Sequence, residues 1–434
     1  MKRFGSLRSF RSFLFLAPLV FVMVACNQQT ATAPKSDAQK VNQVEIFSWW
    51  TGAGEEDGLK ALIKLFKEKN PDIEVINAAV AGGAGTNAKT VLATRMQGND
   101  PPDTFQVHGG AELNDSWVAA GKMEPLNDFY KQQGWTDKFP PALINLVSKG
   151  GNIYSVPVDI HRGNVLWYNK KIFDQYGLKP PTTFDEFFKV ADTLKAKGIT
   201  PLALGDKEPW TATQLFENIL LGTLGPNDYD KLWNGQLSFE DPRIKQALAT
   251  FKKMLTYVNQ DHAARNWQDG VQLVGKGEAA MNVMGDWAKG YLTNDLKLKP
   301  KQDFGWAPFP GTNGTFVIIT DTFGLPKGIK HPEATKKFLA VLGSVEGQDA
   351  FNPLKGSIPA RLDADPKKYD VYGQQTMKDF KNSKLVPSLA HGSAAPEGFV
   401  TQFNQLINTF VTQGNIDLAI QMMKQDATAN LGVK

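Results

Sequence analysis

The run FLFLAPLVFVMVAC at residues 13–26 ends at the only cysteine of the 434-residue chain. A single cysteine permits no internal disulfide, so the folded body has to be held together by buried apolar surface. Lys2, Arg3, Arg8 and Arg11 precede the run, which gives the basic start and short apolar stretch of a secretory leader. The stretch is too short for a spanning helix, which takes about 20 residues. Ala25 stands directly before Cys26 as in a lipoprotein processing site, with Met23 where leucine is usual. Acylation explains a lone thiol bound for an oxidising compartment. The expected organisation is therefore a signal peptide over 1–25 and a lipidated Cys26 that anchors the chain on the periplasmic side of the cytoplasmic membrane. A plain signal peptide with an incidental cysteine is the alternative.

The 48 Lys plus Arg against 44 Asp plus Glu come into balance once the four basic residues of the leader are set aside. The basic excess thus belongs to the leader and indicates neither nucleic acid nor an anionic surface as a partner. Residues 27–42, NQQTATAPKSDAQKVN, are polar and aperiodic, a flexible tether reaching about 20 Å as a coil. The whole chain is 42% hydrophobic, and the body that follows is long enough to form two domains.

Strand and helix patterns alternate from Gln43 onward. VEIFSWW reads as a strand, GLKALIKLFKEKN as a helix, IEVIN as a strand, TNAKTVLATRMQG as a helix, DTFQVH as a strand and ELNDSWVAAG as a helix. This is α/β order, in which ligands sit at the carboxyl ends of strands. Trp49, Trp50 and His108 fall at such ends. IYSVPVDIHRGNVLWYN is extended but broken by Pro157 and Gly163, which suits a chain crossing between domains, and FGWAPFP with FVIITDTFGLPKG suggests a second crossing. Thr183 and Glu186 stand in capping-box spacing, Asp241 and Pro242 open a further helix, and everything after Pro359 is expected to be helical.

Successive side chains of a strand point to opposite faces, so only one of Trp49 and Trp50 can enter the core and the other must meet solvent or a ligand. Two tryptophans packing loop and helix is the alternative. An indole offers a flat apolar face that matches the C–H face of a pyranose. Glu55 and Glu56 lie in a helix first turn, where the dipole favours carboxylates regardless of function. GGAG at 82–85 fits neither dinucleotide nor P-loop spacing and reads as a tight turn. The five histidines show no metal-ligand spacing, so neither metal nor cofactor is expected. There is no GxSxG elbow, and paired carboxylates for glycoside hydrolysis meet only in three dimensions.

EIFSWW, GGAG, DPPDTFQVH, YSVPVDIHRGNVLWY, KGEAAMNVMGDW, TDTFGLPKG, NPLKGSIPARLD and VPSLAHG, spread over the mature chain, closely resemble the glucose/galactose-binding proteins of bacterial ABC sugar importers. These belong to the maltose-binding-protein-like class of extracellular solute-binding proteins. KGEAAM is characteristic of the broad class, whereas the tandem tryptophans and NPLKGS point to its aldose-binding branch. The resemblance implies a two-lobed α/β periplasmic binding protein fold of class II, with a ligand cleft between the lobes and several interdomain crossings. Lobe I is expected over 43–157 and 310–358, lobe II over 158–309 and 359–434. It also implies a monomer that binds a monosaccharide, is no enzyme, and delivers its ligand to a membrane permease.

Position by position, the resemblance places Trp49, Trp50, Glu55, Gln106, His108, Asp321 and Lys355 on the first lobe's side of the cleft and Trp267, Trp287 and His391 on the second lobe's side. Glu55 competes with its neighbour Glu56. His161 lies in the crossing segment, either facing the cleft or bonded to backbone as a hinge residue. Chemically the set suits a hexose, since carboxylates take hydroxyl donors, an ammonium takes acceptors, and Gln and His do both. A secreted glycoside-active enzyme using Asp321 or Glu55 is the alternative from another class, and a disaccharide or polyol the alternative cargo.

Overall fold

The computed structural model describes residues 42–431. The expected leader, Cys26 and nearly all of the expected tether lie outside the described residues. Gln43–Phe47 pairs in parallel with Glu74–Asn77 on one side and with Thr104–His108 on the other. The helices Ala53–Lys69 and Thr86–Gln97 make the two crossovers, as parallel neighbours require. Two later strands complete this sheet: Asp321–Gly324 pairs antiparallel with Thr104–His108, and Ser155–Pro157, at the edge, pairs antiparallel with Asp321–Gly324. A second sheet runs Phe304–Pro308, Val165–Asn169, Ala279–Val283 and Thr200–Ala203. The two sheets belong to separate α/β lobes, each with its own core.

Between them lies a third, four-stranded sheet made of crossing strands: Ile358–Pro359, Asp159–Arg162, Thr315–Ile319 and Lys384–Pro387. The expected first crossing is thus divided among all three sheets, with Ser155–Pro157, Asp159–Arg162 and Val165–Asn169 in one each. Gly163 makes the second break. A Cβ there would stand 3.0 Å from Val317 and 3.1 Å from Ile319, so the return strand can lie close only because the position has no side chain. That return strand, Thr315–Ile319, serves two cores. Phe316 and Ile318 pack with Val44, Ile46 and Phe338 in the first lobe. Val317 packs with Leu166, Phe216 and Phe403 in the second, as the period-two alternation of a strand dictates.

Two segments differ from the sequence reading. Lys384–Pro387, expected to be helical, is a strand parallel to Thr315–Ile318. Four residues carry too little pattern to register, and Pro387 is tolerated because the strand lies at a sheet edge, where its missing N–H costs no ladder bond. Glu112–Val118 is helical as expected but wound as a π-helix. The capping-box spacing at Thr183 is half realised. Its hydroxyl accepts from the Glu186 N–H at 3.2 Å, while the Glu186 carboxylate accepts from the N–H and hydroxyl of Thr182 rather than from the N-cap N–H.

Candidate functional site

Trp49 and Trp50 follow the last residue of the Gln43–Phe47 strand and diverge. Trp50 is fully buried, with its ring 4.7 Å from that of Phe351 and 5.4 Å from that of Phe323. Trp49 is half-buried, its N–H donating to Gln106 Oε1 at 3.1 Å and its ring 5.2 Å from the His108 imidazole. Gly85, last of the GGAG turn, has φ +105, and a Cβ there would sit 3.3 Å from the Trp49 indole. The turn therefore supplies room for the indole, and its left-handed backbone favours glycine.

His108 and Asp321 are directly opposite in the antiparallel pair, and Gln106 is diagonal to Asp321 on the same face. The Gln106 amide donates to Asp321 Oδ1 at 2.7 Å. His108 Nε2 lies 3.7 Å from the same oxygen, and the Lys355 ammonium lies 4.0 Å from Oδ2. Lys355 is ion-paired with Glu55 and stands over the buried Trp50 ring, 5.6 Å from its centroid. Glu56 turns away to pair with Lys60 at 2.6 Å, so of the two adjacent glutamates Glu55 is the one at the site.

His161 is 1% exposed, and its partners are carboxylates, not backbone. Nδ1 pairs with Asp286, and Nε2 lies 3.2 Å from Asp159 and 3.6 Å from Asp321. Burial works against its charge, but Asp159 and Asp286 outweigh burial and hold the imidazole pKa well above its ordinary value. Asp159 pays for its burial and for the nearness of Asp321 with a pKa pushed up to about 6. Asp321 is held below the usual carboxylate range because His161 and Lys355 override its burial. Asp159, His161 and Asp321 bring one ligand atom each within 4.8 Å of one another, a spacing that a cation could use. Lys355 and the protonated His161 already supply positive charge to these carboxylates.

The second lobe contributes Trp287, the first residue of the short Trp287–Gly290 helix, and Trp267, which opens the Trp267–Lys276 helix behind an Asn266/Asp269 capping box. The Trp287 ring lies 5.3 Å from His161 and 4.9 Å from His391. His391 follows the edge strand missed in the sequence reading. Ser388 donates its hydroxyl to Glu217 at 3.1 Å and accepts from His391 Nδ1 at 3.0 Å, which leaves His391 Nε2 as an acceptor. Burial, followed by the nearby His108 and Lys89, pushes the His391 pKa well below its ordinary value.

These groups surround one cavity of about 580 Å³. Trp49, Glu55, His108, His161, Trp267, Trp287, Asp321, Lys355 and His391 line it. Trp50 and Gln106 do not. Trp50 is part of the core, its side chain taking the inward face of the chain. Gln106 is buried beneath the floor, bonded to Asp321 and to the Trp49 backbone. Missing from the sequence reading are Trp210, Lys89 and Glu397, together with the neutral polar side chains that extend the cavity outward on the Thr86–Gln97 and Glu397–Gln413 helices. Thr86, Lys89, Thr90, Thr94 and Gln97 recur at helical spacing, a signal that equally describes a solvated face.

The sequence profile of bacterial extracellular solute-binding proteins matches residues 52–349. An uncharacterised ABC transporter extracellular-binding protein of Pyrococcus horikoshii is 41% identical over 96% of this chain and 97% of its own length. A probable sugar-binding periplasmic protein of Mesorhizobium japonicum is 34% identical over 88% of this chain and 92% of its own. Among solved structures, the bacterial solute receptor AcbH, described as preferring β-D-galactopyranose, shares the fold with a TM-score of 0.80. Its identity is 20%, over 89% of this chain and 98% of that one.

Proposed function

The chain belongs to the bacterial extracellular solute-binding protein family, and from that premise we propose that this sugar-binding component of an ABC transporter closes its two lobes on a single aldohexose. Glucose, galactose or mannose is the cargo, and the closed form is what the membrane permease receives. The observation that carries this reading is the setting of Asp321. A buried carboxylate held in its charged form, with an ammonium 4.0 Å away and imidazoles at 3.6 and 3.7 Å, offers acceptors and donors to vicinal hydroxyls between the indole faces of Trp49 and Trp287. A sugar that lacks a matching hydroxyl leaves one of these groups unpaired, at a cost of about 1–3 kcal/mol.

Lobe I comprises 43–157 with 310–358 and lobe II 158–309 with 359–434, the crossing strands acting as the hinge. The protein works as a monomer anchored through Cys26. It binds without turnover: Asp321 is held ionised and so is not the protonated acid that glycoside hydrolysis requires, and Glu55 is engaged by Lys355. A disaccharide is the second reading, favoured by the outward extension of the cavity between the Thr86–Gln97 and Glu397–Gln413 helices.

A thermal-shift and calorimetry panel of glucose, galactose, mannose, sucrose, maltose and a polyol tests this. A ligand at a hundredfold excess over Kd stabilises by about 2.7 kcal/mol, which appears as a shift of a few degrees. The expected result is a shift with an aldohexose and almost none with sucrose or maltose. A larger shift with maltose overturns the monosaccharide assignment, and release of glucose from maltose overturns the binding-protein reading as well.

A further inference from the structure

Lys89 belongs to the first lobe, on a helix whose Ala88 and Leu92 pack with Phe47, Phe105 and Val107. Its ammonium lies 2.9 Å from Glu112 Oε2 and 3.0 Å from Glu397 Oε2. Glu112 is also a first-lobe residue, four positions past His108 at the start of the Glu112–Val118 helix. Glu397 opens the Glu397–Gln413 helix, whose Phe399 and Phe403 pack in the second-lobe core. One ammonium therefore joins carboxylates from both lobes at the wall of the cavity, and the joint continues inward. The Glu112 oxygen that takes Lys89 also takes His108 Nδ1, at 2.8 Å. This identifies Nδ1 as the donor nitrogen and aims Nε2 toward Asp321.

We propose that Lys89 is the latch that registers lobe closure and passes it to the ligand floor, with Glu397 as its second-lobe catch and Glu112 as the positioning residue for His108. The proposal rests on the reading that the lobes close on a sugar. When the lobes part, Glu397 leaves with its helix, while Lys89 and Glu112 stay together. The ammonium then bears on Glu112 alone, competing with His108 for the same oxygen. When the lobes meet, Lys89 is divided between two carboxylates and Glu112 is released to hold the imidazole. Second-lobe backbone lies against the same residues. The Gly392 carbonyl accepts from the Glu112 N–H at 2.8 Å and the Ser393 carbonyl from the Ala111 N–H at 3.1 Å. A Cβ at Gly392 would stand 2.9 Å from Glu112 Oε2, so glycine there lets the loop seat without displacing the carboxylate.

The test uses the mature protein with Glu397→Gln, Lys89→Met and Lys89→Arg, plus the Glu397→Gln/Lys89→Met double variant. In small-angle scattering of the sugar-free protein, Glu397→Gln is expected to have the larger radius of gyration. Salt is expected to expand the wild type toward that value. In stopped-flow fluorescence, glucose is expected to leave Glu397→Gln and Lys89→Met about tenfold faster with little change in association. The double variant is expected to be no worse than either single one, and Lys89→Arg to stay near wild type. The imidazole nitrogen resonances of His108, assigned with His108→Gln, are expected to move in Lys89→Met and not in Lys89→Arg. An unchanged radius, or rate effects that add in full, overturns the latch. If none of glucose, galactose and mannose binds the wild type, the aldohexose reading fails, and the scattering and resonance results still decide the latch.

Discussion

Trp49 and Trp50 are adjacent in the chain and face opposite ways, Trp49 onto the cavity beside His108 and Trp50 into the core between Phe323 and Phe351. The strand end that produces this divergence links core and site. The Lys355 ammonium, which faces the cavity, stands over the inner tryptophan.

The two tryptophans are expected to fail differently. Trp49→Ala removes a stacking face and is expected to cost about 2 kcal/mol of hexose binding, about thirtyfold, with little loss of stability. Trp50→Ala opens a cavity in the core and is expected to cost about 3–5 kcal/mol of folding stability. Calorimetry and urea unfolding on both variants separate the effects, and an unstable Trp49→Ala that binds normally refutes the assignment.

Asp321→Asn keeps the shape of the side chain and removes its charge. Hydrogen bonds to a charged group are worth about 1.5–3 kcal/mol, so hexose affinity is expected to fall by one to two orders of magnitude, with circular dichroism unchanged. Calorimetry with the best-binding hexose gives the number, and affinity within a factor of two of wild type removes Asp321 from the sugar's partners.

Glu112 titrates on the acid side. Burial would raise its pKa, but Lys89 and His108 bring it down to about 2. A carboxylate whose folded pKa is depressed contributes stability that is complete above its unfolded value and is lost as pH falls through the folded one. Unfolding free energy is therefore expected to drop by roughly 3 kcal/mol on this group's account between about pH 4.5 and pH 2. Denaturant titrations across that range should show a shallower acid limb in Glu112→Gln, and identical limbs would contradict the pairing.

Cys26→Ser is expected to leave unprocessed precursor or to release the protein from the acylated membrane pool, with sugar binding intact. A single acyl chain holds weakly, and stable anchoring takes more than one. Fractionation with labelled palmitate measures this. The same distribution and the same absence of label in wild type and variant would dismiss the anchor.

The alternation of strand and helix, the breaks at Pro157 and Gly163 and the placement of Trp49 and His108 at strand ends were all legible in the sequence. Each follows from local rules: residue period, proline and glycine backbone limits, and strand direction. The sequence also indicated, from the alternation of side chains along a strand, that one tryptophan of the pair would be buried and the other would meet solvent or a ligand, against the alternative that both pack loop and helix. Tertiary structure decided which one. The inward face at position 50 is set by Phe323 and Phe351, hundreds of residues away, and no local signal carries that. For the same reason only the fold shows that Gln106 supports Asp321 from below, and that Lys384–Pro387 is a strand because Thr315–Ile318 offers it an edge. Lys89, Glu112 and Glu397 are ordinary helix charges in the sequence. They become one ion-pair network across two lobes because electrostatic coupling depends on distance in space, which is short here, and not on separation along the chain, which is long.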